Sequence, residues 1–314
     1  MLELENYCIT EVENLQEFMT IIFVIVDDLY EESTPTSIKK RKNKEKAKMS
    51  DSEVMTIAIT GELIGIDSET AWYNFVKKNY RAIFPKMCDR TRFNRTRREL
   101  AGVTETLRQR LNGVMENYFS SDRLVDSFPL EVCEFGRANF CRSFKGEEAD
   151  YGVCPSKKET YFGYKVHSIT TPEGYITDFA VTPASTDDRV PLLDLARDKG
   201  YHYYIFGDKG YIDEQLAAIL FEKRNISLLP LKRDNAKEKY PANITRVIFK
   251  MRRRIETTFS QLTCQLNAER VFARTFHGLL TRLITKIFAF NLMFFVNFAL
   301  GNFLHPARIK SIIF

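Results

Sequence analysis

The sequence predicts a mixed α/β fold in which an all-helical N-terminal region precedes a sheet-forming half. Three observations carry this. Capping-box patterns and Gly or Pro breaks punctuate the first hundred-odd residues. From Arg123 onward, short β-branched and aromatic runs replace them, two of these joined by a hairpin signal. From about Thr245, apolar residues recur at helical spacing. With 44% hydrophobic and 28% charged residues in 314, a wholly disordered chain is excluded.

The N-terminal elements follow in order. Thr10-Glu11-Val12-Glu13 reads as a capping box opening a helix to about Tyr30, and Pro35 with its Ser and Thr neighbours breaks the chain. A basic run occupies 39–48. Ser50-Asp51-Ser52-Glu53 is a second capping box, for a helix that Gly65 ends. Ser68 or Thr70 starts the next helix, with Trp72, Phe75 and Val76 on its apolar side. Asp89 then caps a helix holding Arg90, Arg92, Arg95, Arg97 and Arg98. Three short helices, the last Arg-rich, are compatible with a helix-turn-helix-like module, and equally with a bundle presenting a solvated basic face.

Charge is unevenly spread. Residues 1–38 hold nine acids and no Lys or Arg, whereas 39–100 hold 16 Lys and Arg against 8 Asp and Glu. The remainder carries 30 against 24, so the basic majority of the chain points to a polyanionic partner. The six cysteines form no C-x-x-C pair, which argues against a zinc knuckle or disulfide scaffold and for reduced thiols in the cytoplasm. The acidic start does not resemble a signal peptide. The apolar stretch 287–304 is interrupted by Asn291, Asn297 and Asn302 and is read as a buried helix, with no membrane partner expected.

In the second half, Arg123 to Leu130 is a short strand carrying Asp126 and stopped by Pro129. Tyr161–Thr170 and Tyr175–Val181 form a hairpin about Thr171-Pro172-Glu173-Gly174. A helix is expected over 191–199, a buried strand over 203–208 ending in Asp208, a helix over 213–224 and a strand over 226–231. After a charged loop, a long helix runs from about Thr245 to Leu266.

Asp126 and Asp208 each sit where a strand runs into a turn, and Glu256 lies in the long helix. Two strand acids and one helix acid can converge at the end of a mixed sheet, and such a cluster repels itself unless divalent cations neutralise it. The chemistry that fits is two-metal phosphoryl transfer. Spacing alone leaves the ordinary alternative open: a strand-end Asp also serves as a turn residue, and a helix Glu faces solvent. On the helix, Ile248, Met251, Ile255, Phe259, Leu262 and Leu266 fall within ~40° of one line. Phe249, Arg252, Glu256 and Thr263 lie ~60–120° to one side, so Glu256 borders the core and Arg252 shares its flank. His167 and His202 read as ordinary surface or core residues, since two-metal transfer needs no histidine base. Cys133, Cys141 and Cys154 are too widely spaced for a zinc site.

Leu124-Val125-Asp126-Ser127-Phe128-Pro129-Leu130, Gly163-Tyr164-Lys165-Val166-His167 and Gly207-Asp208-Lys209-Gly210-Tyr211 resemble the DDE transposases of bacterial insertion sequences. Phe249-x2-Arg252-x3-Glu256 is similar to the Tyr-x2-Arg-x3-Glu-x6-Lys signature of that group, with Phe249 replacing its Tyr and Thr263 its Lys. The order of motifs resembles most the branch catalogued as insertion sequence nine-eight-two. The resemblance implies an RNase H-like core, catalysis and metal ligation by Asp126, Asp208 and Glu256, and a requirement for Mg²⁺ or Mn²⁺, with two ions expected. It further implies DNA as partner, through terminal inverted repeats and target, and a homo-oligomer when two ends are synapsed. On this reading 1–119 is a helical DNA-binding region, with an acidic leader 1–38, a basic segment 39–48 and the helix-turn-helix-like part 50–100. Residues 120–314 are the catalytic domain with its C-terminal apolar helix. Lys39, Lys40, Arg41, Lys42, Arg90, Arg92, Arg95, Arg97, Arg98 and Arg252 are the expected DNA contacts. The alternatives are a related nuclease that does not join strands and a non-catalytic DNA-binding regulator.

Overall fold

The computed structural model describes residues 7, 9, 12–144, 146–154, 158–269, 271–303 and 306–309. Six helices come first: α1 (Leu15–Ser33), α2 (Thr36–Lys39), α3 (Asp51–Ile64), α4 (Glu69–Asn79), α5 (Arg90–Glu99) and α6 (Ala101–Met115). Four strands follow, β1 (Arg123–Cys133), β2 (Asp150–Cys154), β3 (Glu159–Thr170) and β4 (Ile176–Pro183). The chain continues through α7 (Leu192–Leu195), β5 (Tyr203–Gly207), α8 (Glu214–Arg224), β6 (Ile226–Pro230), α9 (Ala242–Gln265) and α10 (Phe276–Ala299). It divides into two compact units, one of Met1–Asn117, Cys264–Asn267 and His277–Phe314, the other of Tyr118–Thr263 and Ala268–Phe276.

In the first unit the helix ends obey local chemistry. Asn14, whose side chain accepts from the Glu17 N–H, caps α1, while Thr10 and Glu11 of the expected capping box lie outside the described residues. Ser50 and Glu53 close a reciprocal capping box on α3, and Gly65, at φ +81°, ends it in the left-handed conformation. Ser68 and Asp89 cap α4 and α5. Trp72 and Val76 are buried as expected, but Phe75 is exposed. Helix α10 belongs to this unit from His277 on, whereas the sequence reading had set the C-terminal helix with the catalytic half. By length and apolarity α10 could cross a membrane, and most of it is buried inside the protein. Asn291 and Asn297 are buried with it, and their amides donate to the Asn112 side chain and the Pro306 carbonyl.

The second unit is built on a six-stranded sheet in the order β2-β3-β1-β5-β6, with β4 also paired to β3. Strands β1, β3 and β4 form an antiparallel meander, and β5 and β6 add in parallel on the other side of β1. The predicted turn is present: the Gly174 N–H donates to the Thr171 carbonyl, at 2.9 Å. Strand β1 does not stop at Pro129 but runs to Cys133. It pairs with β5 only at Arg123 and Leu124, so by Pro129 one edge is free and the missing N–H is tolerated there. Opposite the bulge at Glu131–Cys133, Gly163 sits at φ +154°, where a Cβ would lie 2.3 Å from the Leu130 carbonyl oxygen. The helix expected over 191–199 is reduced to the single turn α7.

One face of the sheet packs Val125, Ile169, Ile205 and Leu228 against Leu192, Leu195 and Leu220 of α7 and α8. Side chains alternate along β1, so Asp126 shares the other face with Phe128. The Phe128 ring meets Phe259 of α9 at 4.9 Å, which puts α9 over the face that carries Asp126.

Candidate active site

Parallel pairing aligns the two aspartates. Leu124 lies opposite Phe206 in the β1–β5 ladder, and each strand places an Asp two residues further on, Asp126 and Asp208. Asp208 follows the last residue of β5, and its Oδ1 accepts the Gly210 N–H at 2.8 Å. A Cβ at Gly210 would stand 2.9 Å from that oxygen, so the Gly-Asp-Lys-Gly-Tyr motif needs its second glycine for this turn. Asp126 is half-buried, and its Oδ1 accepts the N–H of Ser127 at 2.8 Å. Burial pushes its carboxyl up to about 7; the charges of Asp208 and Asp188 push the same way, against the Ser127 N–H and the Arg252 guanidinium.

Helix α9 buries Ile248, Ile255, Phe259 and Leu262, close to the stripe read from the sequence, with Met251 only half-buried. Phe249 and Glu256 are exposed beside it. Arg252 Nη2 lies 3.4 Å from Glu256 Oε1, one turn along the same helix. Arg252 thus pairs with Glu256, and its charge also favours an ionised Asp126. Arg253 and Arg254 point into solvent.

Sequence reasoning missed two further residues here. Asp188, in the loop after β4, accepts the Ser127 hydroxyl at 2.9 Å and faces Lys165 Nζ at 3.1 Å. Tyr211 is buried with its hydroxyl unpartnered; burial first, then the charges of Asp126, Asp188 and Asp208, hold its phenol well above the ordinary tyrosine range. Nothing in the sequence marked Asp188, because Asp187-Asp188 reads as an ordinary turn pair. His167 is fully buried, and burial pushes its imidazole down to about 4 despite Asp188 nearby. His202 bonds Ser227. Cys133 and Cys141 come within hydrogen-bonding reach of each other, and burial, then that contact, raises the Cys133 thiol to about 11.

Among the described residues, no three His, Cys, Asp or Glu side chains gather closely enough to hold a metal ion. The donor chemistry nevertheless suits a hard divalent cation. Asp126 and Asp208 offer carboxylate oxygens only, and burial and the like charge of Asp208 raise the Asp126 carboxyl, a penalty that a bound cation would relieve. Glu256 pairs with Arg252 at 3.4 Å.

The expected DNA contacts divide in the first unit. Arg97 is buried, donating to Glu62 at 2.9 Å with Glu69 at 3.5 Å, so its guanidinium is engaged in ion pairs within the protein. Arg41 forks onto the buried Asp51 through both terminal nitrogens, at 2.6 and 2.7 Å, and is engaged likewise. Lys39 pairs with Glu31, and Arg90 with Glu69 more loosely at 3.4 Å. Lys40, Lys42, Arg92 and Arg95 are exposed, and Arg98 is half-buried.

A family model described as the transposase DDE domain matches residues 119–275, half of the chain, from just before β1 to just before α10. No curated protein and no solved structure matches. The matched span contains the aligned aspartates and the whole of α9 with Glu256, and on that match this chain belongs to the DDE transposase domain family.

Proposed function

We propose that the protein is a DNA transposase of an insertion sequence, in the branch called nine-eight-two, which binds terminal inverted repeats, cuts them and joins them to target DNA. The observation that carries this reading is the alignment of Asp126 and Asp208, each two residues beyond the Leu124–Phe206 pair of the parallel neighbours β1 and β5, inside the family's own domain. The antiparallel meander β1-β3-β4, extended by parallel β5 and β6, supports an RNase H-like core. Asp126 and Asp208 would hold Mg²⁺ or Mn²⁺, with Glu256 completing the set. Two bound ions would neutralise the scissile phosphate and activate the attacking oxygen. This chain's own residues do the rest: Arg252 offers its guanidinium to a phosphate, and exposed Lys40, Lys42, Arg92 and Arg95 supply backbone contacts. Synapsis of two ends calls for a homo-oligomer, acting on DNA in the cytoplasm without a membrane partner.

The test incubates purified protein with duplexes carrying the element's ends, in Mg²⁺ or in a chelator, and maps the cut strands. Metal-dependent nicks at the repeat boundary, followed by strand joining, are expected. Cutting without joining would favour a nuclease, and binding without cutting a regulator.

A further inference from the structure

We infer that Asp188 is a positioning residue for Asp126, acting through Ser127; the inference rests on the transposase reading only for the kinetic part of its test. Ser127 touches two carboxylates at once. Its N–H donates to Asp126 Oδ1 at 2.8 Å, and its hydroxyl donates to Asp188 Oδ1 at 2.9 Å. Because side chains alternate, Asp126 and Ser127 point to opposite faces of β1, and only the shared backbone links them. Holding the Ser127 hydroxyl therefore fixes the peptide whose N–H orients the Asp126 carboxylate.

Asp188 is itself anchored. Lys165 Nζ lies 3.1 Å from its Oδ1 and donates to the Thr186 carbonyl at 2.9 Å, tying the loop back to β3. His167, the cross-strand partner of Ser127, lies on the same side, with Nδ1 3.5 Å from Asp188 Oδ1. The Thr182 hydroxyl and His167 Nε2 are hydrogen-bonded at 2.8 Å. Its Nδ1 is buried without a hydrogen-bond partner. His167 therefore supplies no hydrogen bond to Asp188, and Lys165 and Ser127 are the donors that hold it.

The test uses the full-length protein labelled with ¹⁵N-serine; the Ser127→Ala spectrum identifies the Ser127 amide by its loss. Asp188→Ala should shift that amide, as its bond to Asp126 loosens, and Asp188→Asn should leave it near its original position, since the amide oxygen still accepts from the hydroxyl. In DNA cleavage, Asp188→Ala and Ser127→Ala should each lower kcat ~10–30-fold with KM for the DNA ends little changed. The double variant should be no worse than either single one, and Asp188→Asn should recover most of the loss. An unmoved Ser127 amide in folded Asp188→Ala, additive losses in the double variant, or Asp188→Asn as damaging as Asp188→Ala would overturn the inference. Wild-type protein that cuts no DNA while the amide behaves as expected would overturn the transposase reading alone.

Discussion

Glu62 is a buried carboxylate and Asp126 a half-buried one, and the fold treats them in opposite ways. In the helical unit, Glu62 meets Arg97 at 2.9 Å, Arg282 at 3.2 Å and Lys286 at 2.5 Å. Burial opposes its ionisation, yet Lys286, Arg282 and Arg97 overcome that and hold the carboxyl down at about 2. In the sheet unit, burial first and then the charges of Asp208 and Asp188 raise Asp126 to about 7, against the Ser127 N–H and Arg252. A carboxylate surrounded by the protein's own cations is already satisfied and holds α3, α5 and α10 together. One that the protein leaves short of positive charge is arranged for something that brings it. On the transposase reading, the difference separates a structural acid from a functional one without reference to any motif.

The largest effect that sharpens this contrast is on catalysis. Asp126→Asn is expected to reduce DNA cleavage by ~10³-fold or more while leaving the melting temperature unchanged or higher, because it removes a poorly compensated charge. A dead variant that also melts early would mean that Asp126 is structural as well.

Glu62→Gln should do the reverse. Stranding three cations in the core costs about 3–5 kcal/mol, or roughly 6–20 °C in melting temperature. The sign with pH follows from the depressed carboxyl: its stabilisation is full above about 4.5 and is lost as pH falls towards about 2. Wild type should thus lose stability across that window by calorimetry, and Glu62→Gln should lose less there. Equal acid sensitivity in the two would break the comparison.

Arg97 and its helix neighbours divide along the same line. Arg97→Ala should cost roughly 1–3 kcal/mol of stability through its charged hydrogen bonds. Arg92→Ala and Arg95→Ala should leave stability alone and each reduce the salt slope of DNA binding by about one. A stable Arg97→Ala with a reduced slope would mark Arg97 as a DNA contact. The smallest change is Arg252→Lys, expected to lower cleavage ~10-fold, since an ammonium does not replace the fork beside Asp126 and Glu256. Arg254→Lys, out in solvent, is the control, and a greater loss there would mean the flank of Arg252 and Glu256 is misread.

Much of this was legible in the sequence where local chemistry decides. The Ser50 capping box, the Gly65 stop, the Thr171–Gly174 turn and the stripe of α9 depend on neighbours a few residues apart. The strand-end Asp208 was legible too, whereas Asp126 lies inside β1, and the alignment of the two comes from β1–β5 pairing over some eighty residues, which no local pattern encodes. Arg97 and Arg41 looked like members of basic surface runs because Glu62 and Asp51, their partners, are distant in sequence or belong to another helix. Asp188 was invisible for the same reason: its meaning comes from Ser127, which lies on a strand far earlier in the chain. Pro129 misled because a proline ends a strand only where both edges are paired.

The central claim is that Asp126, unlike Glu62, is completed by a divalent cation. Titrating Mn²⁺ into the complex with end-bearing DNA, followed by electron paramagnetic resonance, tests it most directly. Wild type and Glu62→Gln, measured where both are folded, should bind Mn²⁺ alike, and Asp126→Asn should lose at least one bound ion. Undiminished Mn²⁺ binding by folded Asp126→Asn would contradict the account.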